Sequence, residues 1–209
     1  TQNRAIEFSL FLCIPAAAAL MILAEPIAVV LFQRGAFLPD DALATARALA
    51  AFAFGLPAFV LIKAFVPGYF ARQDTVTPVK IAVAAMIINV VLAVLLMQVL
   101  AHAGIALATA ITAWLNAGAL AVLLIRRDHF RFDSVLRARV PKLLLSAAFM
   151  AGGLWGGGQV AATALAGSEP VRIGALGALV LLGLVIYFGV AQMTGAMRLA
   201  ELRQALRRS

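Results

Sequence analysis

Four stretches of this chain carry no charged residue at all: Ile81–Ala101, Ala103–Ile125, Leu143–Ser168 and Ile173–Met197. A helix rises 1.5 Å per residue, so roughly 20 apolar residues are enough to cross a hydrocarbon core of about 30 Å. Two further segments qualify with a single charge each. Phe8–Gln33 is interrupted only by Glu25, and Ala48–Ala71 only by Lys63. The expectation is an all-α, polytopic bundle of six membrane-spanning helices. Composition agrees. Hydrophobic residues make up 64% of the 209 and charged residues 12%, against about 45–50% and about 25% in soluble domains. The longest polar stretch, Arg126–Lys142, leaves no room for a separate soluble domain.

A formal charge of +8 invites a nucleic-acid reading, but the distribution of that charge points elsewhere. With six alternating spans, one side of the membrane receives Arg4, then Arg72 and Lys80, six basic residues between Arg126 and Lys142, and four from Arg198 onward. The other side receives Arg34, Arg47 and Arg172. Such a bias marks the cytoplasmic face, so both ends of the segment are expected there. The basic excess is topology, and no nucleic-acid partner is expected. Cys13 is the only cysteine, which rules out an internal disulfide or a cysteine metal cluster. The first apolar segment is too long for a signal peptide and has no cleavage site before a soluble domain. A start at Thr1, without methionine and on the cytoplasmic side, reads as the later part of a longer protein.

Local signals fill in the connections. The first helix is expected from Ile6 to Gln33, followed by an outer turn in which Asp40 and Asp41 occupy N-cap and first-turn positions. Thr77 and Pro78 read as cap and first-turn proline of the third span. His102 and Gly104 fall in a tight outer loop. The basic segment 128–142 is a loop whose Phe130, Phe132, Val135 and Leu136 suggest a short interfacial helix. The tail 198–209 has leucines on one face and arginines around them, as an amphipathic helix on the inner leaflet would. Polar intramembrane residues gather in the first four spans, while the last two, 143–197, are glycine-rich and almost uncharged.

Lys63 is the main candidate for chemistry. It sits in an apolar run between Pro57 and Pro67, two helix breakers and hence hinge candidates. An intramembrane ammonium costs several kcal/mol unless it reaches water, an anion or the headgroups. Its neighbours one turn away are apolar, and Arg72 lies about 13 Å of helical rise away. The two readings are a cavity-facing lysine that attracts an anion such as a phosphate, and a lysine snorkelling to the headgroups. Asn89 and Asn116 are further cavity candidates, although such residues also simply hold helices together. Glu25-Pro26 lies too near the outer end to pair with Lys63. Gly153, Gly157 and Gly183 permit either tight packing or a shallow groove for a lipid tail. No second ligand accompanies His102, so neither a metal nor a cofactor is expected. GxxxxGK[ST], GxSxG and HExxH are all absent, which argues against an ATP-driven pump or a protease.

Several stretches carry a family likeness: Phe32-Gln-Arg-Gly-Ala-Phe37, Gly55 through Lys63, Pro67 through Thr75, Thr77-Pro-Val-Lys80, His102 through Thr109, and Asn116 in Ala-Trp-Leu-Asn-Ala. These resemble the MurJ (MviN) family of lipid II flippases within the MOP exporter superfamily. The resemblance implies the last six of fourteen helices, with residues 1–127 as four helices of the second transporter lobe and 143–197 as the hairpin whose groove takes the lipid tail. It further implies a bacterial cytoplasmic membrane location and alternating-access transport of undecaprenyl-linked peptidoglycan precursor, drawing on the membrane potential. Membrane lipids and the N-terminal half of the same transporter are the partners it implies. Lys63 would line the cavity, and Arg72-Gln-Asp74 would form a cytoplasmic turn. The alternatives are a related exporter of lipid-linked polysaccharide units or drugs, a non-transporting membrane subunit, and, least supported, a membrane transferase.

Overall fold

The structure is a computed structural model and describes residues 2–33, 35 and 37–195. The amphipathic tail expected at 198–209 lies outside the described residues. Among the described residues eight helices follow one another: α1 (Gln2–Ile22), α2 (Ala24–Phe32), α3 (Pro39–Phe70), α4 (Val76–Leu100), α5 (His102–Arg126), α6 (Ser134–Val160), α7 (Ala162–Leu165) and α8 (Glu169–Met193). Six of them, all but α2 and α7, are long and apolar enough to cross a membrane. Their packing forms a row in the order α4, α5, α3, α1, α6, α8, with α2 against α3 and α8.

The first expected helix is in fact two. Pro26 has no N–H to give the Ile22 carbonyl, and the helix breaks at Leu23 before resuming as α2. Pro15, Pro57, Pro67 and Pro141, by contrast, stay inside continuous helices. Pro57 and Pro67 therefore do not interrupt α3, contrary to their reading as breakers. Membrane helices keep such prolines where neighbouring groups take over the freed carbonyls. The phenol of Tyr187 on α8 donates to the Phe11 carbonyl at 2.7 Å, the very carbonyl that Pro15 leaves without its helical donor. Pro57 frees the Ala53 carbonyl, and beside it the Trp114 indole of α5 donates to the Phe54 carbonyl at 3.0 Å.

Small residues set the closest contacts. A Cβ at Gly55 would lie 2.9 Å from the Ala110 Cα, so α3 and α5 touch nearly backbone to backbone. Ala58, Ala113 and Ala117 continue that seam. The α4–α5 hairpin is tighter than expected. Its only linker is Ala101, and His102 already begins α5. A Cβ at Gly104 would meet the Leu96 carbonyl oxygen at 2.3 Å. Only glycine fits there.

Three further expectations change. The cap of α4 is not Thr77: Asp74 accepts from the Thr77 N–H at 3.0 Å, and the helix starts at Val76 with Thr75 as its N-cap. At the start of α3, Asp40 and Asp41 lie in the first turn behind Pro39, and Asp41 reaches back to accept from the Leu38 N–H at 3.0 Å. The loop expected to extend to residue 142 ends at Asp133, whose carboxylate caps α6 by accepting from the Leu136 N–H at 2.7 Å. Instead of a separate interfacial helix, Val135 and Leu136 form the first turn of a helix that passes through Pro141 to Val160.

Candidate functional site

Lys63 lies well inside α3, seven residues before its end. Its side chain is exposed, and among the described residues it has no hydrogen bond or ion pair. The buried stripe of the same helix, including Ala58 and Phe65, faces α1 and α5. At 100° per residue Lys63 points to the opposite side. Pro67 removes the donor for the Lys63 carbonyl, so an ammonium and an unclaimed carbonyl share one turn of an apolar helix. No carboxylate among the described residues compensates the charge. A lysine in that position needs water, an anion or a polar partner beyond these helices.

The other candidates do not gather around it as one cluster. Asn89 on α4 donates to the Thr109 hydroxyl of α5 at 3.5 Å, a weak bond that ties the hairpin together. Thr109, Thr112 and Asn116 follow one another along α5, and both threonines also bond back to carbonyls of their own helix. Asn116 is half-buried, and its buried Oδ1 has no partner among the described residues. Pro57 borders an apolar cavity of about 840 Å³ between α1, α3, α5 and α6. Lys63 and Pro67 lie outside it.

Gly153, Gly157 and Gly183 of the last hairpin sit in close packing. A Cβ at Gly153 would meet Ile186 Cδ1 at 2.4 Å, and one at Gly157 would meet Leu179 and Leu182 at 3.0 Å. Gly183 is filled from the other side by Leu154 at 3.1 Å, although it also borders a cavity of about 430 Å³ between α1, α6 and α8. Side chains of the partner helix occupy the space that a groove at Gly153 and Gly157 would need.

At the basic end of the bundle the structure brings together residues that composition alone left scattered. Arg127 donates to Asp74 at 2.6 Å, and Arg72 donates to the His129 carbonyl at 2.9 Å. Hydrogen bonds from Thr77, and then the Arg127 guanidinium, hold the Asp74 carboxyl down at about 2. Arg131 pairs with Asp128 at 2.8 Å and lowers its carboxyl likewise. Glu7, at 6% exposure, pairs with Arg139 of α6 and lies 3.7 Å from Arg4. A carboxylate near the start of a membrane helix, with arginines in a distant basic segment, is the only hint of that pair in the sequence.

Known proteins extend this picture. The family model for lipid II flippase MurJ matches residues 1–175. A probable lipid II flippase MurJ of Rhizobium meliloti is 43% identical over 99% of this chain and 39% of its own length. That of Vibrio cholerae is 36% identical over 98% of this chain and 39% of its own. The solved structure of a lipid II flippase MurJ in an inward closed conformation shares the fold, with a TM-score of 0.73 and 23% identity over 92% of this chain and 38% of that one. The chain thus spans well under half the length of these relatives, matches the family model over most of its own length, and belongs to the MurJ family of lipid II flippases.

Proposed function

We propose that this chain forms part of a flippase that moves lipid II, the lipid-linked peptidoglycan precursor, from the inner to the outer leaflet of the bacterial cytoplasmic membrane by alternating access. The observation that carries the reading, beside family membership, is Lys63: an exposed cation in the apolar helix α3, without a counter-charge among the described residues. A diphosphate headgroup is the anion such a residue attracts. At 4 Å and an effective dielectric of about 20, a unit pair interacts by roughly 4 kcal/mol.

In this reading residues 1–127 belong to a transporter lobe, and the face of α3 bearing Lys63 lines a hydrated route. Asn116, with its unpaired oxygen, adds a polar contact. Pro57 and Pro67 lie inside α3 without breaking it and weaken its hydrogen-bond ladder, which suits a helix that shifts between two states. The hairpin α6–α8 keeps the isoprenyl tail in lipid. Both ends of the segment lie in the cytoplasm, as the basic residues favour.

The test is complementation. Cells depleted of their own flippase receive the whole protein containing this chain, and lipid II exposed on the outer leaflet is measured with an impermeant reagent. Restored exposure and continued growth are expected. Normal insertion with lipid II retained on the inner leaflet would contradict the proposal.

A further inference from the structure

The apolar cavity between α1, α3, α5 and α6 has no place in the route of a polar headgroup, yet at about 840 Å³ it is the size of a ligand site. It is elongated. Its lining runs from Ile6 to Met21 on α1 and from Leu136 to Ala151 on α6, about 22 Å of helical rise in each case. Ile6, Phe65 and Leu136 mark the end nearest the basic loop, and Met21, Phe54 and Trp114 the other. One charged residue borders it among the described residues, Arg137, at the basic end.

Arg137 differs from three arginines around it. Arg127, Arg131 and Arg139 are committed to Asp74, Asp128 and Glu7. The Arg137 side chain is exposed and has no hydrogen bond or ion pair among the described residues. It also stands just past the first turn of α6, where the helix dipole disfavours a cation. An anion supplied from outside the chain offsets both. A long apolar slot with one uncommitted guanidinium at its membrane-surface end matches one ligand chemistry: an acyl chain below a phosphate.

We infer that this groove holds a resident anionic phospholipid, its tail along α1 and α6 and its phosphate on Arg137. The site is separate from the Lys63 face and from the α6–α8 interface. The lipid fastens the α1–α6 contact, one of those through which the last hairpin joins the rest of the bundle.

Trp114 borders the groove and reports on it. The chain has two tryptophans, and Trp155 is exposed on α6 outside the groove. The whole protein containing this chain, with every tryptophan except Trp114 replaced by phenylalanine, is placed in vesicles containing brominated phosphatidylglycerol or brominated phosphatidylcholine at equal mole fraction, and Trp114 fluorescence is read. Phosphatidylglycerol is expected to quench severalfold more strongly, and Arg137→Gln to remove the difference. Gly118 borders the groove with nothing within 4 Å of an added Cβ, so Gly118→Leu fills the slot without a backbone clash and should weaken quenching by either lipid. Equal quenching by the two lipids in the parent overturns the inference, because the groove then holds unselected bulk lipid. Absence of quenching by both also overturns it, since protein then covers the groove. So does quenching unchanged in Gly118→Leu.

Discussion

Tyr187 of α8 donates its phenol to the Phe11 carbonyl of α1 at 2.7 Å, and that carbonyl is the one Pro15 deprives of its helical partner. The bond ties the last hairpin to the rest of the bundle at a site where Tyr187 is 1% exposed. Tyr187→Phe is expected to cost about 1 kcal/mol, within the range for such bonds in membranes. Pro15→Ala supplies a backbone N–H to the same carbonyl, so most of the loss should vanish in the double variant. Unfolding in mixed micelles measures the cycle, and simple additivity would sink the linkage.

Asp74 and Arg127 latch the α3–α4 turn to the end of α5. The Asp74 carboxyl sits at about 2, below its ordinary 3.8. A depressed carboxylate adds stability at every pH above its unfolded value and loses it as pH falls through the folded one. Order at the latch should therefore persist at pH 5 and fail only towards pH 2. Asp74→Asn should loosen the turn at neutral pH. Amide exchange of residues 72–77 reads both effects, and loss of protection already at pH 5 would count against the latch.

Glycine placement gives a third expectation. Gly153→Leu drives a side chain into Ile186, whereas Gly152→Ala enters open space. The first should separate α6 from α8 and lower thermal stability, and the second should be neutral within about 0.5 kcal/mol. Ile186→Ala should partly rescue Gly153→Leu by vacating the space. If Gly153→Leu leaves stability intact and blocks only transport, the groove reading of these glycines stands instead.

The spans were legible in the sequence because long uncharged runs have few alternative fates. Boundaries were less so. Pro26 broke a helix while Pro57 and Pro67 did not, and what a neighbouring helix offers a proline's freed carbonyl is invisible locally: Tyr187 lies 176 residues from the Phe11 carbonyl that Pro15 frees. Lys63 stood out by charge alone. Glu7–Arg139 did not, because its partners are 132 residues apart and the carboxylate looks like a membrane-edge residue. Glycine runs in 143–197 could mean packing or a groove. Only the positions of Ile186, Leu179 and Leu182 decide between them.

Topology can be checked without any functional assay. In a Cys13→Ala background, a cysteine at Ser168 should react with an impermeant thiol reagent from outside the cell. One at Ser134 should react only after permeabilisation. Both positions are exposed. Outside labelling at Ser134 reverses the whole assignment.

Lys63 carries the central claim, so its replacement in the whole transporter is the most direct measurement. Lys63→Ala and Lys63→Arg are compared at equal membrane abundance by the rate at which lipid II appears on the outer leaflet. The alanine variant should lose about tenfold or more, equivalent to roughly 1.4 kcal/mol, while arginine retains most of the rate because the charge is kept. Equal rates for the parent and the alanine variant would contradict the account and leave Lys63 as a lysine that only reaches for the headgroups.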